Sequence, residues 1–460
     1  MASPPSPPLT PPMHKRRMTT TMAVPDDVEE IVENRRGSFA KQHTAPSPGQ
    51  WHCVHLERFS RLSVPPQALS RMHKMHELLK AQQGEARYKL EDTSDYALDH
   101  MWSSNCWHVF SDMPLRREEP YSKRDWQVRP QGVCGRSLLS GFGVGAVNMK
   151  GVKGFGDRSI GQDCCSVSVL PSGWVVYCLF DGHGDSGHWP AERAARTLPY
   201  LLEATQACNT MLKQGRVEAA LYHAFEKVQM DLVRQSVQDD FHLQVCGSTA
   251  VCVLQHPEYD KVWAATLGDS RVILMSPGKG VIAQTRDHKP SVEEERARVE
   301  SMGLEVHSRV HEDGFVEERL FIEGEDFPGL CMTRSLGDLC VKDHGVIAEP
   351  EVISWSVSRS TNSYILIASD GVWDCFTSDE IHDLVCDAIS AGDSLESITQ
   401  SILQVAKERW NAYEDHYCDD VTLILFRADQ RVVGFKDAWA NAQREGCCFA
   451  AVRHFGCSVM

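Results

Sequence analysis

The sequence predicts a mixed α/β or α+β domain between about Leu138 and Phe426. Three observations predict it. Strand-like apolar runs alternate there with stretches of helical spacing. Gly and Asp punctuate the runs, and four of the most hydrophobic ones abut an aspartate. The flanking segments lack this texture. The chain has 460 residues and is 42% hydrophobic: enough for a sizeable core, and more than one ordinary domain uses.

Taken in order, residues 1–50 open on MASPPSPPLTPP, too rich in Pro and Ser to bury a core, and read as a disordered tail. The basic cluster His14 to Arg17 reads as solvated charge rather than a nuclear signal. Arg35-Arg36-Gly37-Ser38-Phe39 has the form of a basophilic kinase site. Residues 51–137 form an extension of unassigned role. Within it, Leu69, Met72, Met75, Leu78 and Leu79 predict a helix over 66–83. The main domain is drawn at 138–428, with helices over 190–207, 216–238, 292–302, 378–391 and 395–411. Residues 429–460 form a C-terminal tail.

Composition narrows the function classes. A net charge of −16 argues against nucleic acid as partner, which calls for a basic patch. The 17 cysteines follow no apolar signal-peptide core and include no CxxC pair, so reduced thiols in the cytoplasm are expected rather than disulfides or a zinc knuckle. No run of about 18 apolar residues is present to span a membrane.

The aspartates carry the chemistry. VVYCLF ends in Asp181, VWAATLG in Asp269 and YILIAS in Asp370, while VTLILF follows Asp419-Asp420. One Asp beside a strand is ordinary turn chemistry. Four, if their strands are neighbours, converge at one edge of a core and need protons or cations to offset their repulsion. Oxygen-only donors with few nearby thiols favour Mg²⁺ or Mn²⁺ over zinc.

The ordered set Gln162-Asp163, Asp181-Gly182-His183-Gly184, Gly247-Ser248-Thr249-Ala250, Gly268-Asp269-Ser270-Arg271, Asp287-His288-Lys289-Pro290, Ser335-Leu336-Gly337-Asp338, Ser369-Asp370-Gly371-Val372-Trp373-Asp374 and Asp419-Asp420 resembles the metal-dependent protein phosphatases of type 2C. The resemblance spans about Phe142 to Phe426 and sharpens the fold class to α+β: two packed antiparallel β-sheets, a β-sandwich, flanked by helix pairs, with a dinuclear metal centre at one end. It implies hydrolysis of phosphoserine and phosphothreonine in proteins by in-line attack of a metal-bridging hydroxide, with two Mg²⁺ or Mn²⁺ ions and a third, weaker one. Carried over residue by residue, Asp181 bridges the two metals, the Gly182 carbonyl binds the second, and Asp370 and Asp419 bind the first. Asp163 holds metal-associated water, and Asp269 and Asp374 join Asp370 at the third ion. Arg158, with Lys153 as a rival in the same loop, binds the phosphoryl group, and His183 is the general acid. Residues 291–344, including Arg334, correspond to a flap. His188 reads as structural and Gly247-Ser248-Thr249 as tight strand packing. The sequence departs from the pattern at Gln162, where Glu is common, at Asp185, where a Gly is common, and at Asp420, where Asn is frequent.

The ending Cys457-Ser458-Val459-Met460 fits a farnesylation signal, with Cys447 and Cys448 as candidate palmitoylation sites. The expectation is a monomeric phosphatase acting on phosphorylated proteins at the cytosolic face of a membrane. Two competitors are an inactive phosphatase-like scaffold, disfavoured by the full carboxylate set, and a lipid-anchored interaction protein working through its first 130 residues.

Overall fold

A computed structural model of the chain describes residues 91–114, 117–239, 241–311, 316–357, 362–413, 416–428 and 437–444. The expected tail over 1–50, the helix over 66–83 and the lipidation candidates Cys447, Cys448 and Cys457 lie outside the described residues.

Twelve strands build two large sheets: β1 (His108–Ser111), β2 (Trp126–Arg129), β3 (Val144–Met149), β4 (Cys164–Val169), β5 (Val175–Phe180), β6 (Ala250–Gln255), β7 (Lys261–Leu267), β8 (Arg271–Ser276), β9 (Gly280–Gln284), β10 (Glu351–Ser356), β11 (Tyr364–Ala368) and β12 (Val421–Arg427). The first sheet runs β10-β7-β6-β5-β4-β1-β2 and the second β9-β8-β11-β12-β3. All their ladders are antiparallel. The fold is therefore α+β.

Period-two alternation sorts the strands' side chains into layers. Val167, Tyr177, Leu179, Val251 and Val253 of the first sheet meet Val272, Ile365, Ile367, Ile424 and Phe426 of the second in one buried cluster. On the outer face of the first sheet, Val176, Cys178, Phe180 and Leu254 pack under α1 (His188–Ala204), α2 (Gln206–Lys213) and α3 (Val217–Gln238). On the outer face of the second, Met149, Ile273, Leu366 and Leu423 pack under α4 (Ser378–Ala391) and α5 (Leu395–Tyr413). The expected helix pairs are thus three helices on one side and two on the other.

The start at residue 138 is too late. Strands β1 and β2 complete the first sheet, and Val109 and Val128 join the central core. They are four-residue strands whose burial shows no alternation, so no period-two signal marks them. Residues 293–346 form a smaller unit around Val299, Leu304, Leu320, Val341 and Val346, with an antiparallel hairpin of Leu304–Val310 and Val316–Ile322. It lies in the stretch over which the flap is expected.

Candidate metal centre

Register alone brings the aspartates together. In the first sheet Cys164 pairs with Phe180, which sets Asp163 and Asp181 at one end of neighbouring strands. Leu179 pairs with Val251 and Ala250 with Leu267, so β7 delivers Asp269 to the same end. In the second sheet Arg271 and Leu423 both pair with Ala368, so Asp370, Asp419 and Asp420 emerge together. The Gly268-Asp269-Ser270 step joins β7 to β8 and thereby the two sheets. The Ser369 hydroxyl crosses between the sheets, donating to Asp163 Oδ2 at 2.8 Å.

Close backbone approach is what glycine provides here. A Cβ on Gly371 would lie 1.9 Å from the Asp420 carbonyl, and one on Gly151 would lie 2.1 Å from that of Cys418. Asp420 is fully engaged by the backbone: Gly151 N donates to Oδ1 at 2.7 Å and Gln162 N to Oδ2 at 2.6 Å. Asp419 accepts from Asp420 N on Oδ1 at 2.8 Å and pairs with Lys153. Thr249 does more than pack. Its N–H donates to the Asp181 carbonyl at 2.8 Å, and its hydroxyl accepts from Asp181 N at 3.0 Å, fixing the backbone of the central aspartate.

The electrostatics report a crowded acidic site. Burial, then repulsion from Asp370, Asp163, Asp419 and Asp269, pushes Asp181 well above the usual carboxylate range. Asp370 is raised in the same sense by burial and by Asp419, Asp374 and Asp269, against a side-chain hydrogen bond with Asp181. Burial and Asp420 carry Asp163 up to about 7. Asp374 stands at about 6, where burial and Asp269 outweigh the pull of Lys289. Two ammonium groups lie among these acids. Lys153 pairs with Asp419, and Lys289 stands 3.4 Å from Asp269 Oδ2 and 3.9 Å from Asp374 Oδ1.

Among the described residues no three His, Cys, Asp or Glu side chains close into a ready-made cage for an ion. The donor set nonetheless fits hard divalent cations. It is all oxygen, its members repel one another, Asp163 and Asp269 are buried, and Asp269 Oδ1 has no hydrogen-bond partner.

His183, beside this cluster, is held by a residue whose role the sequence does not reveal. Its Nε2 lies 2.7 Å from Asp338 Oδ2. Asp338 is buried, accepts from the Ser335 hydroxyl at 2.5 Å, and sits in the left-handed region with φ 45°. Burial alone would raise its pKa; His183 and Lys342 outweigh that and hold it below the usual value. The His183 Nδ1 is buried with no partner. The Arg158 guanidinium pairs with Glu119 at the surface, both side chains more than half exposed. Arg334 is bound to Glu295 at 2.7 Å inside the flap unit.

A family model described as protein phosphatase 2C matches residues 158–412. The rice (Oryza sativa subsp. japonica) "Probable protein phosphatase 2C 12" is 33% identical over 354 residues, covering 66% of this chain and 86% of that protein. A second rice protein, "Probable protein phosphatase 2C 64", is 32% identical over 274 residues, or 58% of this chain; the match spans 61% of its own length. The fold is similar to that of a serine-threonine phosphatase 2C from Toxoplasma gondii, with a TM-score of 0.52 at 16% identity, covering 69% of this chain and 98% of that one. The chain belongs to the protein phosphatase 2C family of Mg²⁺/Mn²⁺-dependent protein serine/threonine phosphatases.

Proposed function

We propose that the aspartate cluster is a two-metal centre that hydrolyses phosphoserine and phosphothreonine in proteins directly, without a covalent enzyme intermediate. Asp181, the Gly182 carbonyl, Asp370 and Asp419 hold two divalent cations, Asp163 orients water beside them, and Asp269 and Asp374 lend a weaker third position. Bound Mg²⁺ or Mn²⁺ supplies a water of lowered pKa and positive charge against the phosphoryl oxygens. His183, held at Nε2 by Asp338, delivers a proton from Nδ1 to the departing seryl or threonyl oxygen. Arg158 takes two phosphoryl oxygens through its planar fork. Leaving Glu119 costs it little, because so exposed an ion pair is weak.

The observation that carries this reading is the meeting of Asp163, Asp181, Asp269, Asp370 and Asp419 as mutually repelling acids at one end of the sandwich. The test is phosphate release from a phosphothreonine peptide, with Mn²⁺ and with EDTA. Turnover is expected only with metal, and Asp181→Asn is expected to lower kcat by at least about a thousandfold. An inactive, folded, Mn²⁺-loaded wild type would instead favour a phosphoprotein-binding scaffold. Membrane attachment through Cys457 is part of the same proposal and rests on the four-residue ending; an unchanged membrane fraction for Cys457→Ser removes it.

A further inference from the structure

Phe155 is the most exposed large hydrophobic side chain among the described residues, at 93%. A single exposed apolar residue needs no explanation by itself. What sets this one apart is the backbone under it. Gly154 and Gly156 flank it with φ of 125° and 77°, conformations that side chains disfavour. Asp157 then locks the turn. Its N–H donates to the Gly154 carbonyl at 3.2 Å. Its carboxylate accepts from Lys153 N at 3.0 Å, Lys150 Nζ at 2.6 Å and Ser159 N at 2.8 Å. The chain holds an aromatic ring in water on an ordered turn.

That turn sits at the rim of the acidic cluster. The short strands Val152–Lys153 and Tyr417–Cys418 pair, with Lys153 opposite Tyr417. Lys153 pairs with Asp419, and beyond it the Phe155 ring meets the His416 ring edge-on, with centroids 5.8 Å apart. Two residues of chain put the Phe155 Cα at most about 7 Å from that of Lys153. An extended peptide rises about 3.3 Å per residue, so two substrate residues span the step from Lys153 to Phe155, and a third covers the added reach of the Lys153 side chain to Asp419.

We propose that Phe155 is a specificity-determining residue, docking an apolar side chain two or three positions from the phosphoserine or phosphothreonine of a protein substrate. The inference rests on the phosphatase reading and adds a substrate class to it. The ordered turn supports it, since a pre-organised contact loses little entropy on binding.

Initial rates with Mn²⁺ test it on phosphothreonine peptides in a Ser/Gly background, with one Leu moved from three positions before the phosphothreonine to three after. Wild type, Phe155→Ser and Phe155→Leu are compared, with p-nitrophenyl phosphate as a substrate that lacks flanking residues. The wild type should show KM lower by roughly five- to tenfold for Leu at one of the positions two or three away, the scale of partly burying one ring. Phe155→Ser should lose this preference, Phe155→Leu should keep most of it, and all three should share one kcat/KM on p-nitrophenyl phosphate. A Leu preference that survives Phe155→Ser, or one that was never present, overturns the proposal. A wild type that turns over neither kind of substrate overturns the phosphatase reading beneath it.

Discussion

At His183 Nε2 is committed to Asp338, and Nδ1 has no hydrogen-bond partner. Asp338→Asn tests the pairing gently, because Asn tolerates the left-handed backbone at this position. It keeps a polar partner and removes the negative charge from the contact. The expected result is a fall in kcat of about ten- to a hundredfold on a phosphothreonine peptide. The fall should be much smaller on p-nitrophenyl phosphate, whose leaving group needs no proton. Equal losses on both would mean that Asp338 only holds the loop. Lys289 makes a second prediction. Its ammonium already neutralises part of the Asp269–Asp374 pair, which the third-ion expectation gives to a metal. Lys289→Gln should therefore bind an additional or tighter Mn²⁺, counted by electron paramagnetic resonance of the free ion. An unchanged titration would leave those two aspartates without a cation role. Asp181, Asp269, Asp370 and Asp419 are legible in the sequence because each adjoins an apolar run. The partners of His183 and Arg158 are not, because Asp338 lies 155 residues from His183 and Glu119 lies 39 from Arg158.

Elements with strong local signals read most directly. The helix Ser378–Ala391 has the bounds its sequence predicts. Thr377 and Glu380 close a capping box at its start, and Gly392 takes the left-handed cap at its end. The first helix over the other sheet is shifted: expected over 190–207, it runs His188–Ala204, and a separate helix begins at Gln206. Residues 91–94 show what sequence periodicity cannot. They are strapped to α1 and α3 by side chains about 100 to 145 positions away. Arg193 Nε donates to Asp231 Oδ2 at 2.8 Å, and its Nη2 to the Thr93 carbonyl at 2.6 Å. Arg234 reaches the Glu91 carbonyl at 3.1 Å and Asp231 Oδ1 at 2.7 Å. Asp231 is 2% exposed and pairs with both arginines. Asp231→Ala would strand a buried Arg193 without its anion. We expect a loss of about 3–5 kcal/mol, read from urea unfolding of the full chain.

For the whole molecule, His108 sets a limit on the acid side. It lies on β1, 2% exposed, stacked between Trp102 and Phe110 with centroids 5.0 and 4.9 Å away. Burial, with Arg196 and Arg129, drives its pKa down to about 3. The folded chain thus prefers the neutral ring, while the unfolded chain takes up a proton near pH 6.5. The stability this contributes is complete above about 6.5 and is lost progressively as pH falls towards 3. Between pH 7 and pH 5 the loss should be about 2 kcal/mol. Urea midpoints at the two pH values measure it, and His108→Gln should flatten the difference. The same strand bears on how the chain can be dissected. A chain cut at residue 138 would lose β1 and β2 and bare the side of β4, whose Ser166, Val167 and Ser168 now pair with β1. A row of unsatisfied amides and carbonyls on a hydrophobic strand invites a second copy to pair there. Such a truncation would report aggregation rather than regulation. Any control exerted by the residues that come first has to be sought with cuts placed ahead of Glu91, where the strap over the helices begins.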